Sequence, residues 1–250
     1  LLIEKVSNSD LGYTGPVPEV ASGFVKFAAE RWGWQVDEKQ VRLSTDVGVS
    51  AVEILRALGK PGEKVVINSP VYSSFFEWIP EVGLVVEDVP LVPAEKTWNL
   101  DLVALEAAFK AGAKFYLICH PHNPIGKVFS RSELEAIASL AKQYAVFVIS
   151  DEIHAPLTYA GVEFVPYLSV SDAARETGAC ITAASKSFNV AGLKASVIVT
   201  DSTLVHEKLK ALPAALHWRS GLLGAFAMGE AFTNCGAWLD AAIAANLASR

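Results

Sequence analysis

Apolar strand-like runs alternate with amphipathic helix-like segments along most of this chain, and this alternation restricts its fold more than any other feature. Short runs rich in Val, Ile and Phe lie at residues 65–68, 114–119 and 146–150, and helical periodicity follows the first two. Strands and helices that alternate at this spacing form a parallel sheet covered by helices on both faces. The sequence therefore predicts an α/β fold, a three-layer sandwich with a mostly parallel sheet.

The same reasoning places the other elements. We predict further strands at 41–43, 84–89 and 195–200, and helices from Pro18 onward and at 49–58, 72–79, 101–111, 202–212 and 221–232. Ser130-x-x-Glu133 is a capping box, which predicts the start of one more helix. The final segment, 237–250, also has a helical pattern.

Composition excludes several classes of protein. At 250 residues, 52% hydrophobic and 19% charged, the chain can bury one large core and is not disordered. A net charge of −6 without a basic cluster argues against a nucleic-acid partner. Cys119, Cys180 and Cys235 are odd in number and widely spaced, which favours a reducing compartment over a disulfide framework. With no apolar run long enough to span a membrane, we expect a cytoplasmic, soluble protein.

Three predicted strand ends carry chemically active side chains. Asn123 follows the run at 114–119, Asp151 follows the run at 146–150, and Lys186 follows another short apolar run. Parallel strands end at one edge of the sheet, where α/β proteins bind ligands, so an amide, a carboxylate and an amine should converge. At such a place the amine of Lys186 can be desolvated and made nucleophilic.

A polar turn at residues 44–48 joins a predicted strand to a predicted helix. Such a junction of strand, turn and helix presents free N–H groups and the positive end of the helix dipole, which would suit an anion. Capping alone explains most turns of this kind, so the pattern is weak by itself.

Each of these residues also has an ordinary explanation. Asp151 could cap a helix or turn, Lys186 could be a solvated surface lysine, and Asn123 precedes a proline in a common turn dipeptide. Tyr72 could be a core or rim aromatic. The Cys-His-Pro-His segment at 119–122 suggests zinc, but it lacks the usual ligand spacing.

The combination is more specific than its parts, because one cofactor uses all of these groups. Pyridoxal phosphate needs an amine for covalent attachment, a carboxylate at its ring nitrogen and a donor to its phenolate oxygen. It also needs an aromatic face and an anion cradle.

Four motifs then show a family resemblance. They are N-S-P-V-Y at 68–72, H-P-H-N-P-I-G-K-V at 120–128, V-I-S-D-E-I-H-A-P-L at 148–157 and S-K-S-F-N-V-A-G-L-K at 185–194. Their order, spacing and sequence resemble fold-type I pyridoxal-phosphate enzymes of the class I/II aminotransferase superfamily, from about residue 12 to residue 239. D-E-I-H together with S-K-S-F-N is most similar to the cystathionine β-lyase branch.

The resemblance implies a role for each ring-binding residue. Lys186 would attach the cofactor covalently and later act as general base and acid at the substrate α-carbon. Asp151 would pair with the ring nitrogen, and Tyr72 would stack on the ring. Asn123 would donate to the phenolate oxygen, with His154 close by.

The resemblance also implies a phosphate site. The N–H groups of Val47 and Gly48 would hold the phosphate, with Ser185 and Lys194 as further candidates. Tyr13 matches a tyrosine that reaches the phosphate of the neighbouring subunit, which implies a homodimer with shared active sites.

Two positions depart from the superfamily pattern. Ala183 stands three residues before the lysine, where a Ser or Thr is usual, so one phosphate hydroxyl is missing. Lys194 stands where Arg is common. A lysine keeps the positive charge but cannot make the paired, bidentate hydrogen bonds of a guanidinium group.

The implied reaction is β-elimination from an amino acid with sulfur on its β-carbon, such as cystathionine, giving a thiol, pyruvate and ammonia. The alternatives are amino transfer to a 2-oxo acid, and a non-catalytic regulator or binding module with the same fold. We expect residues 1–250 to be the large cofactor-binding domain, with 237–250 beginning an interdomain helix. An N-terminal segment and a C-terminal small domain carrying the carboxylate-binding arginine would lie outside this sequence.

Overall fold

A seven-stranded sheet organises the chain in our computed structural model, which describes residues 1–212 and 218–249. The strand order is β1-β9-β8-β7-β6-β2-β3, and β9 runs antiparallel to both of its neighbours, so the other six strands share one direction. The strands of this sheet are β1 Val41–Ser44, β2 Lys64–Ile67, β3 Val85–Asp88, β6 Phe115–Cys119, β7 Phe147–Asp151, β8 Gly178–Thr182 and β9 Ser196–Val199. A separate hairpin pairs β4 Val92–Pro93 with β5 Trp98–Asn99.

Helices cover the sheet. They are α1 Leu2–Ser7, α2 Pro18–Trp32, α3 Val47–Leu58, α4 Phe75–Glu81, α5 Leu102–Lys110, α6 Arg131–Tyr144, α7 Asp172–Thr177, α8 Thr203–Lys210, α9 Leu222–Asn234 and α10 Gly236–Ala248. Helix α2 packs on α9, α3 packs on α8, and α6 packs on both α5 and α7. The mostly parallel α/β sandwich predicted from the sequence is confirmed.

The central strands show that both faces of the sheet are buried. All five residues of β6, and all five of β8, are buried. Because consecutive strand residues point to opposite faces, an unbroken buried run requires cover on both sides. This is why these strands are continuous apolar runs in the sequence and do not alternate with polar residues.

Local capping interactions fix where the helices begin. The predicted capping box is present: the Glu133 N–H donates to the Ser130 hydroxyl over 3.3 Å, and the Ser130 N–H donates to the Glu133 carboxylate over 2.8 Å. Asp46 and Asp101 accept from the third N–H of α3 and α5 in the same way.

Several elements differ from the sequence prediction. The helix predicted at 72–79 is α4, Phe75–Glu81, because Tyr72 lies in the turn that precedes it. Helices α1 and α7 and the β4–β5 hairpin were not predicted. The two helices have six residues each and the two hairpin strands two residues each, too few to show a periodic apolar face, and α1 buries no residue at all.

Neither 1–212 nor 218–249 contains a helix long and apolar enough to cross a membrane. The same ranges contain no group of three or more His, Cys, Asp or Glu side chains that could hold a metal. All three cysteines are free thiols.

Candidate active site

Strand pairing brings the predicted residues to one edge of the sheet. Cys119, the last residue of β6, pairs with Asp151, the last residue of β7, and Asp151 pairs with Ile181 of β8. Asn123 lies four residues past Cys119, and Lys186 lies five residues past Ile181. Since neighbouring strands are roughly 4.8 Å apart, the amide, carboxylate and amine all arise from within two strand spacings of one another.

A cavity of about 580 Å³ lies at this edge. Nine of the ten predicted site residues line it: Val47, Gly48, Tyr72, Asn123, Asp151, His154, Ser185, Lys186 and Lys194. Its volume is within the range typical of cofactor sites. Tyr13 is the exception. Its side chain is 97% exposed and borders a separate shallow depression, together with Gly192 and Trp218.

The N-terminus of α3 forms one wall of the cavity. Helix geometry leaves the first N–H groups without intrahelical acceptors, and the Asp46 carboxylate accepts only that of Val49, over 2.8 Å. The N–H groups of Val47 and Gly48 therefore stay available at the positive end of the helix, which suits a phosphate.

Asp151 is the buried carboxylate of the site. It is 3% exposed, and burial raises its pKa to about 7, an effect partly opposed by a 3.2 Å hydrogen bond from the Ile153 N–H and by the charge of Lys186. A cationic partner such as a protonated ring nitrogen would stabilise its ionised form. Asp151 is thus suited to bind a positively charged ring.

Glu152, the next residue, has its side chain wholly inside the protein. Its carboxylate accepts hydrogen bonds from the Ser150 hydroxyl and the Tyr167 N–H, both over 2.9 Å, and from the Cys180 thiol over 3.0 Å. Burial raises its pKa to about 7 as well. The sequence pattern did not predict a role for Glu152, because its hydrogen-bond donors come from three separate segments of the chain.

Lys186 is exposed in this cavity, so the expectation that its amine is desolvated is wrong for this structure. The residue lies four positions beyond the end of β8, where the cavity opens to solvent. Its charge acts on His154, whose pKa is lowered by burial first and by Lys186 second. His154 therefore favours its neutral form beside the lysine.

Aromatic side chains form another wall. The ring of Tyr72 contacts Trp78 edge-on, with centroids 5.7 Å apart, and Phe75 in the same manner at 6.1 Å. Trp78 lies so close to α3 that a β-carbon on Gly48 would be 2.7 Å from its indole. The lack of a side chain at Gly48 thus permits this packing.

Asn123 has a side-chain amide that faces the cavity and has no hydrogen-bond partner within the described chain. Its backbone N–H donates to the Cys119 sulfur over 3.3 Å, which holds the start of the loop against the end of β6. The amide is therefore free to donate to a ligand.

Beside the N-terminus of α3, Lys194 is paired with Asp46, the N-cap residue of that helix. The Lys194 ammonium is 3.4 Å from the Asp46 carboxylate. Lys194 has a left-handed backbone, with φ of 56°, which is uncommon for a residue with a side chain. The Ala183 methyl group is buried, so this position supplies no donor.

Five charged residues that line this cavity were not assigned to the site from the sequence: Glu53, Arg56 and Glu81, which are joined by ion pairs, and Asp46 and Arg219. Asp46 was grouped with the turn but not assigned a role, although an N-cap aspartate beside a predicted anion site was a usable signal. Arg219 lies in no recognisable motif, and its presence in the cavity follows only from tertiary structure.

The residues present fit pyridoxal phosphate by their chemistry. One cavity is lined by an amine, a buried carboxylate, a free amide, aromatic rings and N–H groups that have no intrahelical acceptor. His120 and His122, which were weighed as metal ligands, are hydrogen-bonded through Nε2 to the carbonyl groups of Val165 and Pro70.

Comparison with known proteins agrees with this geometry. Residues 7–229 match the family model described as aminotransferase class I and II. A Mycobacterium leprae protein, provisionally named a cystathionine beta-lyase, is 36% identical over 94% of this chain and 59% of its own length. The Bacillus subtilis cystathionine beta-lyase PatB is 32% identical over 96% of this chain and 62% of its own.

Among solved structures, cystalysin from Treponema denticola, which contains a pyridoxal 5'-phosphate cofactor, superposes with a TM-score of 0.92. It is 29% identical and is matched over 97% of this chain and 62% of its own. The chain thus spans less than two thirds of the length of these relatives.

Proposed function

The chain belongs to the aminotransferase class I and II family, and from that premise we propose that it forms the cofactor-binding domain of a pyridoxal-phosphate β-lyase acting on sulfur amino acids. The observation that carries the proposal is the convergence of Asn123, Asp151 and Lys186 from three adjacent strands into one cavity. Relatives named cystathionine beta-lyase favour elimination as the reaction and cystathionine or a cysteine conjugate as the substrate.

When bound, pyridoxal phosphate supplies an electron sink for negative charge that develops at the α-carbon of an attached amino acid. Lys186 would hold the cofactor through its amine. With substrate bound, the same amine would be placed to take the proton from the substrate α-carbon. Exposure of Lys186 in the open cavity allows the substrate to reach it.

Asp151 holds a proton at the ring nitrogen, and its burial strengthens that interaction because the local dielectric constant is low. Asn123 donates to the phenolate oxygen, and the neutral imidazole of His154 lies beside it. Tyr72 stacks on the ring. These groups fix the ring so that the Lys186 amine and the α-carbon stay aligned.

The N–H groups of Val47 and Gly48 at the α3 N-terminus, the Ser185 hydroxyl and the Lys194 ammonium line one cavity and would hold the phosphate. Tyr13 would complete the phosphate site of a second copy, which makes the enzyme a homodimer. Its almost complete exposure leaves it available for that contact. The three free thiols support a cytoplasmic location.

Covalent attachment gives the first test. After incubation with pyridoxal phosphate and reduction with borohydride, peptide mass mapping should find the phosphopyridoxyl group on Lys186. The variant Lys186→Ala should lack it, whereas Lys208→Ala, a change on α8 outside the cavity, should keep it. An adduct on another lysine would contradict the assignment.

The reaction is tested with the full-length protein. Pyruvate formed from cystathionine without an added oxo acid would support the lyase. The family match also favours amino transfer, which predicts that turnover depends strictly on a 2-oxo acid and that no pyruvate is released from cystathionine.

A further inference from the structure

Arg219 is a cation of the cavity that none of the proposed roles includes. Its exposed side chain lines the same cavity as Gly48, Ser185 and Lys194. Within residues 1–212 and 218–249 it makes no hydrogen bond or ion pair. An arginine without a partner, facing a cavity proposed to hold an anion, is free to bind that anion.

The backbone beside Arg219 is fixed by two long-range hydrogen bonds. The Thr14 hydroxyl donates to the Ser220 carbonyl over 2.8 Å, in a buried contact. The Gly221 N–H donates to the Lys194 carbonyl over 3.3 Å. Arg219 is therefore attached to the loop that carries Lys194, and its position does not depend on its own side chain.

Two glycines allow this close contact. A β-carbon on Gly221 would lie 2.9 Å from the Leu193 carbonyl oxygen, and one on Gly224 would overlap the same atom. The start of α9 can therefore pack directly on the Lys194 loop. This packing holds the backbone of residue 219 beside the loop that carries Lys194, and the Arg219 side chain lines the same cavity as Lys194.

The charges at this end show why a second cation is needed. Lys194 is paired with Asp46 at 3.4 Å, so the two charges nearly cancel. The α3 N-terminus contributes about half a positive charge, whereas a phosphate monoester carries about −1.5 to −2 at neutral pH. Ala183 provides no donor. Arg219 supplies the missing positive charge and a bidentate donor fork.

We propose that Arg219 binds the cofactor phosphate and, with Lys194, compensates for the missing hydroxyl at Ala183. This inference rests on the proposed function, because the phosphate is that of pyridoxal phosphate. The alternative ligand is the substrate carboxylate. The phosphate is favoured because Gly48, Ser185 and Lys194 line the same cavity and surround the anion site at the α3 N-terminus.

The test is a titration of the cofactor-free full-length protein with pyridoxal phosphate and with pyridoxal, which lacks the phosphate. Fluorescence of the tryptophans, which include Trp78 in the cavity, reports binding without any need for turnover. Arg219→Gln should raise the Kd of pyridoxal phosphate about tenfold or more and leave the Kd of pyridoxal unchanged. Arg219→Lys should fall between Arg219→Gln and the wild type.

Arg56→Gln is the matched control. Arg56 lines the same cavity but is paired with Glu53 and Glu81. Arg56→Gln therefore removes one positive charge, as Arg219→Gln does, but away from the phosphate end. The Arg56→Gln variant should bind pyridoxal phosphate like the wild type. Circular dichroism checks that each variant is folded.

Each outcome separates the two proposals. If the wild type binds pyridoxal phosphate and Arg219→Gln binds it equally well, the role of Arg219 is wrong and the proposed function stands. An equal loss for both ligands, or a change confined to the KM of an amino acid substrate, would likewise overturn the phosphate role. A wild-type chain that binds neither ligand would refute the proposed function itself.

Discussion

The ammonium group of Lys194 lies 3.4 Å from the carboxylate of Asp46, so the cation expected to hold a phosphate is already engaged with an anion. The same carboxylate accepts the Val49 N–H and thereby caps α3. Asp46 thus has two opposite effects on anion binding. It organises the helix end that presents the free N–H groups, and it places a negative charge beside them.

Asp46→Asn should separate these effects. Asparagine caps a helix about as well as aspartate, so α3 should keep its start, while the negative charge is lost and Lys194 is released. We expect pyridoxal phosphate to bind about twofold to fivefold more tightly, with pyridoxal unchanged. Fluorescence titration in low salt measures both.

Asp46→Ala is the companion variant, because it removes the charge and the cap together. It should lose about 1 kcal/mol of stability, which Asp46→Asn should not. Weaker binding of pyridoxal phosphate by Asp46→Asn would show that the carboxylate is not repelling the phosphate.

The sequence predicted which side chains meet at the edge of the sheet, because their convergence depends only on the direction of the strands. Asn123, Asp151 and Lys186 each come shortly after a buried strand, and parallel strands deliver their ends to one edge whatever the strand order. The polar turn before a predicted helix indicated an anion site at the start of α3, and the family resemblance assigned that site to Val47 and Gly48.

The rest depends on packing that no local pattern contains. Arg219 meets the Lys194 loop only because α9 packs its glycines on Leu193. Glu152 is satisfied by Ser150, Tyr167 and Cys180 only once β7, β8 and the segment around Tyr167 have assembled. Exposure of Lys186 likewise reflects the shape of the cavity, which is not a property of the flanking residues.

Gly48→Ala tests the contact between α3 and α4. Alanine is a better helix former than glycine, yet its methyl group would lie 2.7 Å from the Trp78 indole, which itself packs on Tyr72 and Phe75. We expect a net loss of about 1–3 kcal/mol in the free energy of unfolding, measured by urea denaturation.

Relief of the clash provides the control. The double variant Gly48→Ala, Trp78→Phe should be less destabilised than the sum of the two single changes, because the smaller ring makes room for the methyl group. Gly192→Ala, where a β-carbon meets nothing within 4 Å, should be close to neutral. Simple additivity of the two changes would mean that the indole is not the obstacle.

Glu152→Gln should alter how stability depends on pH. Burial raises the pKa of Glu152 from 4.5 to about 7, so between these values the native chain retains a proton that the unfolded chain has lost. Stability from this group is therefore complete below pH 4.5 and falls as the pH rises to 7. Glutamine does not titrate and retains an acceptor oxygen for Ser150 and Tyr167.

Relative to the wild type, the Glu152→Gln variant should thus gain stability as the pH rises from 4.5 to 7, by up to about 3 kcal/mol, with no further gain above 7. Urea unfolding of the cofactor-free chain at pH 4.5, 6 and 7.5 measures the trend. A gain that is the same at all three values would show that Glu152 does not titrate in this window.

Asp151→Asn should have opposite effects with and without the cofactor. In the cofactor-free chain at pH 8, the buried Asp151 carboxyl is above its pKa of about 7 and is ionised at a cost that folding must offset. Asparagine removes that charge and keeps an oxygen for the Ile153 N–H. The variant should therefore unfold at a higher temperature than the wild type, by roughly 2–4 °C for each kcal/mol gained in the free energy of unfolding.

With pyridoxal phosphate bound, the order should reverse. A neutral amide cannot hold the ring nitrogen in its protonated form, so the variant should bind the cofactor more weakly and gain less thermal stability from it. Scanning calorimetry of both proteins at pH 8, with and without saturating cofactor, measures the two effects together. At pH 5 the cofactor-free difference should shrink, because the wild-type carboxyl is then protonated in the native chain. A variant that is less stable than the wild type without cofactor at pH 8 would mean that the Asp151 carboxylate is stabilised by the protein alone, and that its burial does not reserve it for a cationic ring.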